Sequence, residues 1–162
     1  MKQQLRKAFI EALTTLAEKD PRVILVVGDV GFSFLEDFKA KFPKQFLNCG
    51  IMEQTMMGFV AGLAQAGFKP YVYTMSNFII LRPLEQLRND ICYPGLDVKL
   101  ISVKGSEAYK FLGMSHNLYG TEEIDILKNL KNLDYYFPET EEETTKLIMD
   151  TYQKTNPTYI RL

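Results

Sequence analysis

The sequence has no tryptophan, one histidine and two cysteines in 162 residues, and its 19 basic side chains are offset by 20 acidic ones to a net charge of −1. Each shortage excludes something. Cys49 and Cys92 are too few for a disulfide framework, and with His116 as the lone histidine they make no metal site, which fits a reducing, cytoplasmic setting. A balanced charge leaves no footprint for nucleic acid or an anionic membrane surface. No apolar run reaches the roughly 18 residues a membrane-crossing helix requires. The opening Met1-Lys2-Gln3-Gln4-Leu5-Arg6 leads into an amphipathic segment rather than an apolar signal region, so a soluble, unprocessed protein is expected. Neither a Walker loop nor a dinucleotide-binding glycine fingerprint occurs.

What is present suits one domain over residues 1–162, with 46% hydrophobic residues to build a core and no repeat or linker to divide it. Leu5, Phe9, Leu13 and Leu16 recur at helical spacing and stop at Asp20-Pro21. Val23-Ile24-Leu25-Val26-Val27, closed by Gly28-Asp29, has the continuous β-branched character of a strand covered on both faces. Helices are then expected over 33–42, 53–66, 84–91, 121–129 (capped by Thr121) and 140–154, and strands over 45–49, 70–74, 97–103, 133–137 and 158–162. Residues 104–120 read as a long irregular loop, and such loops are disproportionately functional. The alternation predicts an α/β fold: a doubly wound, mainly parallel sheet with helices on both faces. Ligands of such sheets bind beyond the carboxyl ends of the strands, where strand order reverses. That rule selects Asp29, residues 50–53, residues 74–78 and the loop around His116.

Glu53, in Gly50-Ile51-Met52-Glu53-Gln54, stands at a strand-to-helix junction among Ile51, Met52, Met56 and Met57. Two readings fit it. It is a helix-start acid favoured by the macrodipole by under about 1 kcal/mol, or an acid whose apolar surroundings leave it able both to donate and to accept a hydrogen bond. Gly58, Gly62 and Ala66 recur every fourth residue, a smooth strip that serves internal packing or the approach of another helix.

Four ordered blocks resemble the pyrimidine-binding domain of transketolases: Val27-Gly28-Asp29-Val30-Gly31, Phe46 to Gln54, Tyr73-Thr74-Met75-Ser76-Asn77-Phe78, and Arg82-Pro83-Leu84-Glu85-Gln86-Leu87-Arg88. The resemblance covers essentially the whole chain. It implies that the cofactor is thiamine diphosphate and that Glu53 activates it by hydrogen-bonding a ring nitrogen of its aminopyrimidine. It further implies that Phe78 stacks on that ring, that Ile51, Met75 and Leu81 line it, that Asp29 lies near the thiamine, and that His116 faces the substrate. For Phe78, packing in the core remains the alternative, for Asp29 a turn after a strand, and for His116 an ordinary loop position.

The same family holds Mg²⁺ and the diphosphate on a Gly-Asp-Gly and a distant Asn in another domain, and Gly28-Asp29-Val30 does not reproduce them. The resemblance therefore implies a partner, an N-terminal transketolase-like subunit carrying that site, in an α₂β₂ assembly. Sugar-converting members carry an acidic Gly-Glu-Asp-Gly run before the loop histidine. This chain has Tyr109-Lys110-Phe111-Leu112-Gly113 there, which puts an ordinary ketose phosphate in doubt. Two-carbon ketol transfer is the expected activity. A 2-oxo acid decarboxylase or carboligase subunit, and a non-catalytic subunit that kept the fold, stay open. So does whether the chain is a short natural subunit or lacks a third domain.

Overall fold

A computed structural model describes residues 2–104 and 107–162. Strand β1 (Val23–Val27) directs Val23, Leu25 and Val27 into one hydrophobic core and Val26 into another, because successive strand residues face opposite sides of the sheet. Five more strands join it: β2 (Phe46–Asn48), β3 (Lys69–Met75), β4 (Lys99–Val103), β5 (Asp134–Tyr136) and β6 (Thr158–Arg161). They lie in the order β2-β1-β3-β4-β6-β5, and every neighbouring pair is parallel. A parallel sheet is covered on both faces, and β1, β3 and β4 are accordingly buried almost throughout.

One face is covered by α1 (Lys2–Lys19), α2 (Glu36–Lys41) and α7 (Glu141–Tyr152), whose Phe9, Leu13, Phe38 and Ile148 pack on Leu25, Tyr71, Tyr73 and Ile160. The Phe9 ring stacks on Tyr73 at 5.7 Å, and truncating a fully buried residue such as Leu13 to alanine costs about 2–5 kcal/mol. The opposite face is covered by α3 (Glu53–Gln65), α4 (Ser76–Ile80), α5 (Leu84–Gln86) and α6 (Glu122–Leu127). There Met56, Met57, Val60, Ile79 and Leu127 pack on Val26, Val72, Leu100 and Tyr159. The expected doubly wound arrangement is present. Among the described residues, no helix is long and apolar enough to cross a membrane.

Several local expectations are corrected. The helix expected over 84–91 is α5 followed by a π-helical turn, Leu87–Cys92. Ahead of it lies α4, absent from the expected helices: it follows β3 with no intervening turn and its five residues, opening on Ser76-Asn77, are too few to show a helical periodicity. The expected irregular loop contains a 3₁₀ segment, Glu107–Ser115, broken at Gly113 with φ 57° and ψ −143°; residues 105 and 106 of that loop lie outside the described residues. α2 begins only at Glu36, because Ser33 adopts φ 60° and its N–H donates to Glu36 Oε1 at 2.7 Å. Thr121 does not cap α6. Its φ of −97° and ψ of 0° are not the extended geometry a cap requires, and its hydroxyl donates to Asp125 instead. Thr140, extended at φ −125° and ψ 161°, does cap α7, accepting from the Glu143 N–H at 3.1 Å.

The order of strands creates the crevice. The chain leaves β1 for the β2 edge, then returns past β1 to β3 and continues to β4, so strand order reverses between β1 and β3. Asp29 follows the first of these strands and Ser76 the second, at their carboxyl ends.

Candidate functional site

Glu53 opens α3, reached from β2 through Asn48 and Gly50. Gly50 takes φ 72°, a left-handed conformation that turns the chain from strand into helix without a Cβ penalty. The carboxyl of Glu53 is only 5% exposed, and Arg82 Nη1 donates to its Oε1 at 2.7 Å. Arg82, just after α4, also lies with its Cζ 3.8 Å over the Phe78 ring. A buried acid, an aromatic face and a flat cation touching both are thus brought together from three places in the sequence.

The His116 loop is fastened to the same helix. Phe78 meets the His116 ring edge-on, with centroids 5.0 Å apart, and Tyr109 stacks on His116 at 6.1 Å and 7°. Ser115 Oγ lies 2.8 Å from His116 Nδ1. Asn77, beside Phe78, donates through Nδ2 to the carbonyls of Met114 at 3.2 Å and Ser115 at 2.7 Å. Asn117 Nδ2 donates to the Gly113 carbonyl at 2.8 Å and closes the loop on itself. The start of α4 is anchored from below by a buried chain: Ser76 Oγ is 3.1 Å from Ser102 Oγ, Ser102 donates to the Tyr159 hydroxyl at 2.6 Å, and that hydroxyl donates to Glu123 at 2.5 Å. Arg161 donates to the other oxygen of Glu123. Burial, together with the neighbouring Glu123 charge, pushes the Tyr159 hydroxyl well above the usual phenol range.

Not every expected residue joins this group. Met75 is buried at the end of β3, but Ile51 is 73% exposed and Leu81 42% exposed, so the apolar lining expected from Ile51, Met75 and Leu81 is not closed in this chain by itself. Ile51 and Met52, with Glu53 and Arg82, line an open cavity of about 370 Å³. Asp29 is exposed, in the left-handed region at φ 55°. Asn48 secures it: Asn48 Oδ1 accepts from the Asp29 N–H at 3.0 Å and the Gly50 N–H at 2.9 Å, while its Nδ2 donates to Asp29 Oδ1 at 3.2 Å. Gly58, Gly62 and Ala66 are all exposed, and a Cβ added at Gly58 or Gly62 would meet nothing within 4 Å, so the strip is an open face and not internal packing.

Arg82 and Asn77 are the residues to which the sequence alone assigns no role. Arg82 stands inside one of the four blocks, but nothing in its spacing reveals that it folds back onto Glu53, 29 positions earlier. A cavity of about 750 Å³ between α1 and α2, lined by Arg6, Ile10, Phe32 and Phe34 among others, contains none of these groups. Among the described residues, no three His, Cys, Asp or Glu side chains are grouped to hold a metal ion.

The chain as a whole has counterparts among known proteins. The chain matches the family model "Transketolase, pyrimidine binding domain" over residues 1–162. It is 34% identical over 158 residues to an apulose-4-phosphate transketolase subunit of Phocaeicola vulgatus, covering 97% of this chain and 50% of that protein. It is 32% identical over 156 residues to the 1-deoxy-D-xylulose-5-phosphate synthase of Desulfitobacterium hafniense, covering 96% of this chain and 24% of that protein. A solved structure described as "Split gene transketolase, inactive beta4 tetramer" superposes with a TM-score of 0.84 at 31% identity, over 98% of this chain and 50% of the other. The chain therefore spans half or less of the length of these relatives. It belongs to the transketolase pyrimidine-binding domain family.

Proposed function

We propose that this chain is the pyrimidine-binding part of a thiamine-diphosphate-dependent, transketolase-like transferase that works only with a partner subunit. The observation that carries the reading is Glu53: a carboxyl 5% exposed, at the start of α3 just after β2, sharing a flat cationic group with the face of Phe78. A flat, nitrogen-bearing group already satisfies both residues, so a planar aminopyrimidine fits the same two partners.

In this reading Glu53 holds and moves a proton at a ring nitrogen of the pyrimidine, a task suited to a carboxyl kept from bulk water. Phe78 supplies the stacking surface and Met75 the apolar floor. Ile51 and Leu81, exposed here, complete the lining once a second chain covers them, and Asp29 lies at the thiamine end of the crevice. His116, gripped between Tyr109 and Phe78, faces the substrate as a hydrogen-bonding group. Thiamine diphosphate, when bound, supplies a carbon nucleophile for a carbonyl and an acceptor for the resulting charge. Mg²⁺ and the diphosphate belong to the partner, an N-terminal transketolase-like subunit, in an α₂β₂ assembly. The exposed Gly58 and Gly62 of α3 supply a face that another helix can approach closely. The protein's two free cysteines suit a cytoplasmic location.

Two-carbon ketol transfer is the favoured reaction. The segment Tyr109-Lys110-Phe111-Leu112-Gly113 before His116, in place of the acidic run of the family's sugar-converting members and with Leu112 replacing a substrate-hydroxyl acceptor, favours a second reading, carboligation or decarboxylation of a 2-oxo acid. The test is to mix the full-length protein with its partner, thiamine diphosphate and Mg²⁺, then assay ketol transfer and CO₂ release side by side. Ketol transfer that needs both subunits is expected. Carbon dioxide release would select the second reading, and efficient turnover by the full-length protein alone would remove the partner.

A further inference from the structure

We infer that Arg82 is an internal competitor for the pyrimidine site, a side chain that satisfies Glu53 and Phe78 until the cofactor displaces it. The inference rests on the assignment of Glu53 and Phe78 to the pyrimidine. It starts from a geometric coincidence. The guanidinium meets the same carboxylate at 2.7 Å and the same aromatic face at 3.8 Å that a stacked, hydrogen-bonded aminopyrimidine would use. Stacked planar groups lie about 3.5–4 Å apart, so both cannot occupy that face at once.

The contact has the character of a held but releasable state. Glu53 is 5% exposed and, left alone, would be a buried charge without a counter-ion, which is strongly unfavourable. Arg82 removes that penalty. The arginine itself is 39% exposed, so its head can swing into solvent by rotation about its own side-chain bonds, with no backbone movement required. Its guanidinium is held by two groups among the described residues, the carboxylate of Glu53 and the ring of Phe78.

Competition by an attached group weakens apparent affinity by the fraction of molecules in which the site is open. If the guanidinium occupies the site about nine-tenths of the time, cofactor binding is weakened about tenfold. Arg82 would thus keep the unassembled or unloaded protein in a closed, self-satisfied form, and would make loading slower than diffusion to an open crevice.

The experiment is calorimetric titration of thiamine diphosphate, in excess Mg²⁺, into the assembled complex of the full-length protein and its partner. It compares wild type with Arg82→Met and Arg82→Lys, and adds stopped-flow measurement of the association rate. Met keeps the length but offers Glu53 no charge. Lys keeps the charge but cannot lie flat on Phe78. The expected result is about tenfold tighter and faster binding for Arg82→Met, with Arg82→Lys between it and wild type. Should Arg82→Met fail to assemble, Arg82→Lys decides alone: tighter than wild type supports the inference and equal affinity overturns it. Unchanged or weaker binding by Arg82→Met overturns the inference but leaves the cofactor assignment standing. Absence of binding by all three proteins, wild type included, overturns both.

Discussion

The side-chain amide of Asn77 donates to the backbone carbonyl of Ser115 at 2.7 Å, joining two segments 38 residues apart in sequence. Through that bond and its companion to Met114, the helix that presents Phe78 also sets the height of the His116 loop. Replacing Asn77 by alanine removes both donors and leaves two carbonyls to find water. The expected cost is about 1–3 kcal/mol of local stability, seen as faster amide hydrogen exchange over residues 113–117. Exchange at the wild-type rate would mean that the loop is held by other contacts.

The α3 face makes a second prediction separable from folding. Gly58→Leu adds a side chain at a position where a Cβ meets nothing within 4 Å, and replacing a helical glycine favours the helix by roughly 1 kcal/mol or less. The variant should fold with equal or higher thermal stability yet lose assembly with itself or its partner, as measured by light scattering of the full-length protein. Normal assembly would move the interface elsewhere.

A third prediction concerns acid. The Arg22 side chain, Arg22 N–H and Tyr152 hydroxyl all donate to Asp20, and the Arg22 side-chain bonds are the largest influence holding its carboxyl far below the usual carboxylate range, against the opposing effect of burial. The folded pKa lies below the unfolded value of about 3.9, so the stability Asp20 contributes is complete above that value and is lost as pH falls through the folded one. The melting-temperature gap between wild type and Asp20→Asn should be constant near neutrality and should shrink below about pH 4. A gap independent of pH down to strong acid would contradict the assignment. Asp20 ties the end of α1 to α7, so the measurement also reports on that side of the sheet.

The layering is legible in the sequence because it depends on periodicities: Leu5, Phe9, Leu13 and Leu16 at helical spacing, and the unbroken Val23–Val27 run that only a doubly covered strand tolerates. Glu53 is legible as a junction residue among methionines, and it is buried as that pattern suggests. Its ion pair is not. A contact between positions 53 and 82 depends on how the β3-to-α4 turn returns to α3, which is tertiary geometry without a local signature. The same holds for Asn77, whose partners lie in the 3₁₀ segment. The opening of α4 is faint in the sequence because a five-residue helix is too short to show a helical periodicity, and its polar first residues, Ser76 and Asn77, follow β3 with no intervening turn. Ile51 and Leu81, expected as lining, are each exposed in this chain, as the proposed sharing of the site with a second chain requires.

The most direct measurement on the central claim is turnover by Glu53→Gln in the full-length protein, assembled with its partner and saturated with thiamine diphosphate and Mg²⁺. Glutamine keeps the size and the hydrogen-bonding edge of the side chain but cannot exchange a carboxyl proton. If Glu53 moves a proton at the pyrimidine, kcat should fall by about a hundredfold or more while the complex still assembles. A Glu53→Gln complex that turns over at close to the wild-type rate would contradict the account.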